Sequence, residues 1–260
     1  MKTKVLFPFV LFAFLVLAVG LACSINVGTT PTQAPPVQQQ PTQPPVQQQP
    51  TNPPPPTQPP APTVPPATAT EETPAFFTED FVSDSLPNWS YFLMKGNENE
   101  MSITTGDHIL SFDLEGEDIW VYLMYDPYTY EDIRLDARAE NRGKNNNNVS
   151  LICRYSNAGW YEFNIANNGL YWILAFDSSD NSYYTIFNGG STAIRMGKDT
   201  NDYTIFCVDH TLALFINGIE VKTIDDNKYN FREGQVGLGV SSFDVWPIVI
   251  EWDYVTISQP

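Results

Sequence analysis

Basic residues are scarce in this chain. Lysine and arginine number 13 against 30 aspartates and glutamates, for a formal net charge of −17. Nucleic-acid binding neutralises phosphates with clustered Lys and Arg, so that class is excluded. The same balance removes an electrostatic grip on anionic membranes. Histidine occurs twice, at His108 and His210, each beside an aspartate. No Gly-x-Ser-x-Gly accompanies them to make a hydrolase triad, and no clustered His/Cys spacing suggests zinc. No Gly-rich loop introduces a helix, which argues against a phosphate cradle. Beyond the N-terminal apolar run, no long stripe of helical period exists.

What is present falls into three unlike segments. Lys2 and Lys4 precede a nearly unbroken apolar run from Val5 to Ala22. A basic start, an apolar core and a small residue before a cut site describe a secretory signal over residues 1–22. The stretch Val19-Gly20-Leu21-Ala22-Cys23 resembles a bacterial lipoprotein signal, with Gly20 where leucine is usual. That resemblance implies a lipidated Cys23 and attachment at the outer cell surface. An ordinary signal peptide and an uncleaved anchor stay open, because the run borders on spanning length.

Residues 23–75 form the second segment. Thr29 to Pro74 holds 17 of the 22 prolines, and no charge occurs between Cys23 and Glu71. The sequence Pro-Pro-Val-Gln-Gln-Gln-Pro occurs at Pro35–Pro41 and again at Pro44–Pro50. With no apolar stripe to bury, this stretch cannot build a core and reads as a disordered linker. Proline favours the extended polyproline conformation. At ~3.1 Å per residue, its 46 residues reach on the order of 140 Å. A stalk carrying a domain away from a membrane fits this composition better than a proline-motif docking site.

Residues 76–260 form the third segment and hold all six Trp, all thirteen Tyr and twelve of sixteen Phe. That is enough for a substantial core. Period-two alternation recurs. Ile119, Val121 and Leu123 alternate with Trp120, Tyr122 and Met124. Ile133, Leu135, Ala137 and Ala139 alternate with Arg134, Asp136, Arg138 and Glu140. Val149, Leu151 and Cys153 alternate with Ser150, Ile152 and Arg154. Tyr161, Phe163 and Ile165 alternate with Trp160, Glu162 and Asn164. Asn217-Gly218 is a strong hairpin turn between two further strands. A dozen or so short strands in this length predict an all-β sandwich or barrel.

The four alternating runs offer outward residues of one chemical kind. Trp120, Tyr122, Arg134, Asp136, Arg138, Glu140, Arg154, Trp160, Glu162 and Asn164 would share a sheet face if the runs paired as a meander. Aromatic faces suit pyranose rings, and planar polar groups suit hydroxyls. Ordinary cross-strand pairing of Arg with Asp explains part of the same set. Cys153 and Cys207 both fall on core-facing positions. In an exported domain they either bridge or remain two buried thiols. A bridge closing about 54 residues adds roughly 3–4 kcal/mol in the chain-entropy model.

Several motifs, taken in order, carry a resemblance. They are Glu79-Asp80-Phe81, Trp89, Ser150-Leu151-Ile152-Cys153-Arg154-Tyr155 and Trp160-Tyr161-Glu162-Phe163. Gly169-Leu170-Tyr171, Leu212-Ala213-Leu214-Phe215-Ile216-Asn217-Gly218, Gly234-Gln235-Val236-Gly237-Leu238 and Trp252-Asp253-Tyr254-Val255 follow. Together they resemble the concanavalin A-like or laminin G-like jelly rolls of bacterial surface lipoproteins. The resemblance implies two stacked antiparallel sheets, a carbohydrate partner for many members, and glycosidase activity in some related domains. It also implies a structural Ca²⁺, for which Glu79, Asp80 and Asp253 are the candidate oxygen donors, exposed acids being the other reading. The glycosidase spacing Glu-x-Asp-x-x-Glu is missing, since Thr256 follows Glu251 and Asp253 where the last Glu belongs. The expectation is a carbohydrate-binding module with no catalytic residue and no other cofactor. The alternatives are an atypical glycosidase using Glu140, Glu162 or Asp136, and an adhesion domain with a protein partner.

Overall fold

The computed structural model describes residues 73–260; Cys23, the signal segment and the linker up to residue 72 lie outside the described residues. Fifteen strands follow in order: β1 (Phe77–Glu79), β2 (Trp89–Lys95), β3 (Met101–Gly106), β4 (Ile109–Leu114), β5 (Trp120–Tyr125), β6 (Ile133–Asn141), β7 (Asn147–Ser156), β8 (Gly159–Ala166), β9 (Leu170–Asp177), β10 (Ser182–Gly190), β11 (Thr200–Val208), β12 (Thr211–Ile216), β13 (Ile219–Asp225), β14 (Gln235–Ser242) and β15 (Ile248–Ser258). One 3₁₀ turn, Glu98–Glu100, precedes β3. The strands make two antiparallel sheets. The eight-stranded sheet runs β13-β12-β11-β6-β15-β4-β3, with β1 also pairing β15, and the seven-stranded sheet runs β10-β9-β8-β7-β14-β5-β2. This is the jelly-roll sandwich.

Connection length decides which sheet each strand joins. Every connection of four residues or fewer, such as β7–β8, β8–β9 and β12–β13, returns within one sheet. Every connection of five or more, such as β4–β5, β5–β6 and β6–β7, crosses to the other. Sheets stack ~10 Å apart, against under 5 Å between neighbouring strands, so a two-residue turn reaches only the neighbour. Asn217 and Gly218 have φ of 52° and 76°, and Asp107 and His108 have 52° and 64°, as a tight primed turn requires.

The inward rows pack between the sheets. Val121, Leu123, Leu135, Ala137, Leu151, Phe163, Ile205, Leu238 and Val255 are among its fully or almost fully buried members. The alternation read from sequence assigns these residues to the core correctly. Cys153 on β7 and Cys207 on β11 form a disulfide that ties one sheet to the other.

The expected meander does not form. β6 belongs to the eight-stranded sheet, whereas β5, β7 and β8 belong to the seven-stranded one. The inward row of β6 packs on those strands from across the core, so alternation alone cannot distinguish the two arrangements. Arg154 is a second departure. It stands at a β-bulge with φ 57° and is 2% exposed. Its guanidinium donates to the carbonyls of Glu131, Asp209 and Phe231 at 2.8–3.1 Å. It therefore knits three loops inside the protein and is no part of a ligand face.

At the start of the domain, Tyr128, Tyr125 and Tyr130 donate their hydroxyls to the carbonyls of Thr73, Pro74 and Ala75. The last linker residues are thus held against the end of β5.

Candidate functional site

The outer face of the seven-stranded sheet carries a second apolar cluster of Tyr122, Met124, Ile152, Trp160 and Phe176. Phe92, Trp120, Tyr155 and Tyr183 pack on it. Trp160 stacks on Phe176 with ring centroids 4.0 Å apart and meets Tyr183 edge-on at 6.1 Å. Two glycines of β14 admit these rings. Gly237 and Gly239 pair with Met124 and Tyr122 on one side and with Ile152 and Ser150 on the other. A Cβ at Gly239 would lie 2.6 Å from the Tyr122 ring, and one at Gly237 would lie 2.5 Å from the Met124 sulfur. The glycines of the Gly234–Val240 run therefore form a low floor over which Tyr122 reaches toward β8.

Above this floor lies a groove of about 360 Å³. Trp120, Trp172, Leu174 and Phe243 supply apolar wall, and Asn148, Asn164, Tyr183, Thr185 and Ser241 supply polar groups. Glu162 lies at the base and is 1% exposed. Its Oε2 accepts from the Tyr122 hydroxyl at 3.0 Å, and its Oε1 accepts from Ser150 Oγ at 2.6 Å and from Asn164 Nδ2 at 2.8 Å. Three donors offset the cost of burying this carboxylate. Tyr122 lies 2.9 Å from the Tyr183 hydroxyl. Burial first, then the Glu162 charge, pushes both phenols upward, so they remain protonated across the physiological range. Lys95 lies 5.3 Å from the Trp120 ring centre, and its ammonium is bound to Asp118 at 2.7 Å.

Of the ten residues expected on one face, Trp120, Tyr122, Glu162 and Asn164 line this groove. Trp160 is buried beneath it at 4% exposed. Arg134, Asp136, Arg138 and Glu140 are on the outer face of the other sheet, the consequence of β6 crossing over. There they pair among themselves and their neighbours. Arg134 holds Asp136 with two 2.8 Å bonds, Arg138 holds Asp202 at 2.7 Å, and Arg142 holds Glu140 and Glu251. The alternative acids are separated accordingly, Glu162 on one outer face and Asp136 and Glu140 on the opposite one. Glu162 cannot share a glycosidic bond with either of them.

Trp172, Tyr183, Asn148, Thr185, Ser241, Leu174 and Phe243 line the groove without a sequence signal having singled them out. Leu170–Asp177 is apolar on both faces, so Trp172 and Leu174 are masked by Tyr171 and Ile173. The Asn145–Asn148 run reads as a turn, yet Asn147 and Asn148 open β7. The ends of the domain do pair, Glu79 opposite Val255. Glu79 accepts from the Phe81 N–H, and Asp80 is 3.8 Å from His108. Among the described residues, no three or more His, Cys, Asp and Glu gather in one place to hold a metal.

No family model and no curated protein matches this sequence. Solved structures do share the fold. The carbohydrate-binding module CBM66 from Bacillus subtilis aligns with a TM-score of 0.50 at 14% identity, over 68% of this chain and 99% of the module. A Bacillus licheniformis β-glucanase aligns at 0.53 with 11% identity, over 73% of this chain and all of the enzyme. A galectin-like protein of unknown function from Bacillus subtilis aligns at 0.55 with 11% identity, over 72% and 97%. At these identities the likeness establishes a concanavalin A-like, galectin-like sandwich and nothing about activity.

Proposed function

We propose that this domain is a non-catalytic carbohydrate-binding module, displayed outside the cell on the proline-rich stalk and anchored through Cys23 or an uncleaved signal. The groove carries the reading. It pairs the half-buried rings of Trp120 and Trp172 with the amide and hydroxyl groups of Asn148, Tyr183 and Thr185, the mixture a pyranose chain needs. A carbohydrate-binding module and β-glucanases among the proteins of like fold support a glycan partner. Glycoside hydrolysis needs two carboxyl groups flanking one bond. This groove's lining contains one, Glu162, and three donors already occupy it.

Retention of the full-length chain on a panel of insoluble and soluble polysaccharides tests the proposal. Binding to at least one glycan, weakened at least tenfold by Trp120→Ala or Trp172→Ala, is the expected result. A folded protein that no glycan retains would sink it. Turnover abolished by Glu162→Gln would instead make the protein a hydrolase.

A further inference from the structure

The hydrogen bonds on the groove floor have a direction. Glu162 receives protons from Tyr122, Ser150 and Asn164, as an acceptor-only carboxylate does. A phenol carries one proton. That of Tyr122 is engaged by Glu162, so Tyr183 is the donor in the 2.9 Å contact between the two hydroxyls. The proton of Tyr183 therefore points inward, and its oxygen retains only acceptor capacity toward the groove. The amides repeat this polarity. Asn164 Nδ2 gives its protons to Glu162 and to Ser150 Oγ at 3.1 Å. Its Oδ1 then accepts from Asn148 Nδ2 at 2.5 Å. The Oδ1 of Asn148 is left as an acceptor at the groove wall. The hydroxyls of Thr185 and Ser241 rotate and serve either role. No Lys, Arg or His lines the groove.

We propose that Glu162 sets the polarity of the site. It turns the floor's protons inward, so the groove floor presents acceptor oxygens and holds its ligand through the ligand's own hydroxyl protons, while the donors left in the lining, among them the Trp172 indole and the Thr185 and Ser241 hydroxyls, are all neutral. The ligand class is then an uncharged glycan with free hydroxyls. Uronic and sulfated chains present acceptor oxygens to acceptor oxygens and are rejected. This inference rests on the carbohydrate-binding reading and goes further, naming which carbohydrates.

The test uses the full-length chain and neutral polysaccharides, each compared with its C6-oxidised and its O-methylated derivative. Affinity is measured at low salt and at 0.5 M salt, where the screening length falls to roughly 4 Å and long-range repulsion by the acidic surface fades. The parent glycan is expected to bind, and both derivatives to bind at least tenfold more weakly at either salt. Glu162→Gln should narrow the preference for parent over oxidised chain to under threefold. Where that variant fails to fold, Tyr183→Phe should cost the parent glycan about tenfold, with a melting temperature lowered by only a few degrees for the lost bond to Tyr122. An oxidised or methylated chain that binds as tightly as its parent overturns the polarity inference and leaves the module reading standing. A folded chain that retains no polysaccharide overturns both.

Discussion

Two outer faces of one sandwich were built from the same alternation and ended with opposite chemistry. On the eight-stranded sheet, outward side chains are long and charged, and each guanidinium of β6 meets a carboxylate: Arg134 with Asp136, Arg138 with Asp202. Those charges stay in water and satisfy one another, which leaves little free for a ligand. On the seven-stranded sheet, outward residues of the groove face are mostly aromatic, aliphatic or small and polar, β14 contributes glycines, and the one carboxylate of the groove is buried under three donors. An outward position is therefore not a statement about function. What its strand neighbours leave open decides that.

The largest break in the comparison comes from the link between the sheets. Removing the disulfide with Cys153→Ser and Cys207→Ser should cost roughly 3–4 kcal/mol. At 2–4 °C per kcal/mol, a thermal melt should fall by about 10 °C. Intact protein should also resist alkylation at both sites under denaturing, non-reducing conditions.

Gly239→Leu attacks the groove face alone. The new side chain collides with the Tyr122 ring, at a cost of about 1–3 kcal/mol. Glycan retention should drop below detection in a pull-down while circular dichroism keeps its β signature. Tyr122→Phe is milder. It removes one donor from buried Glu162 and should cost about 1–3 kcal/mol by denaturant titration.

A pH limb comes from the loop that closes beside the core. Burial pushes the Asp226 carboxyl up, but the Tyr161 hydroxyl and the N–H groups of Lys228, Asn230 and Tyr229 outweigh it and hold it below the ordinary carboxylate range. A lowered folded-state value means its stabilisation is full above the unfolded value of about 3.9 and fades as pH falls through the folded value. Asp226→Asn should flatten that acid limb of the melting temperature and leave neutral pH glycan binding unchanged.

The smallest effect belongs to the charged face. Arg138→Ala should change stability by under ~1 kcal/mol, because the pair with Asp202 is solvent-screened. Glycan affinity should stay within twofold. A larger loss of binding would move the site to the wrong sheet and erase the contrast between the faces.

Much of the fold was legible in the chain. Val121, Leu135, Leu151 and Phe163 announce the core by alternation, and Asn217-Gly218 announces a hairpin. Cys153 and Cys207 announce two inward sulfurs. The candidate site was only half legible. Trp120, Tyr122, Glu162 and Asn164 were visible as outward residues, whereas Trp172 hid in a strand apolar on both faces and Tyr183 sits on β10, with β9, β8, β7 and β14 between it and Trp120 on β5. Arg154 looked outward by parity, but a bulge broke the period and turned it in.

Sequence by itself determined the strands, the inward rows and the tight hairpins, because these depend on neighbours one to four residues apart. It also determined the segregation of proline and aromatics into separate stretches. Tertiary structure alone decided which sheet received β6, which glycines would lie under Tyr122, and which donors would converge on Glu162. Period-two patterning labels a side as inward or outward but carries no label for the sheet. Only the connections of five residues or more, spanning the gap between the sheets, supplied it.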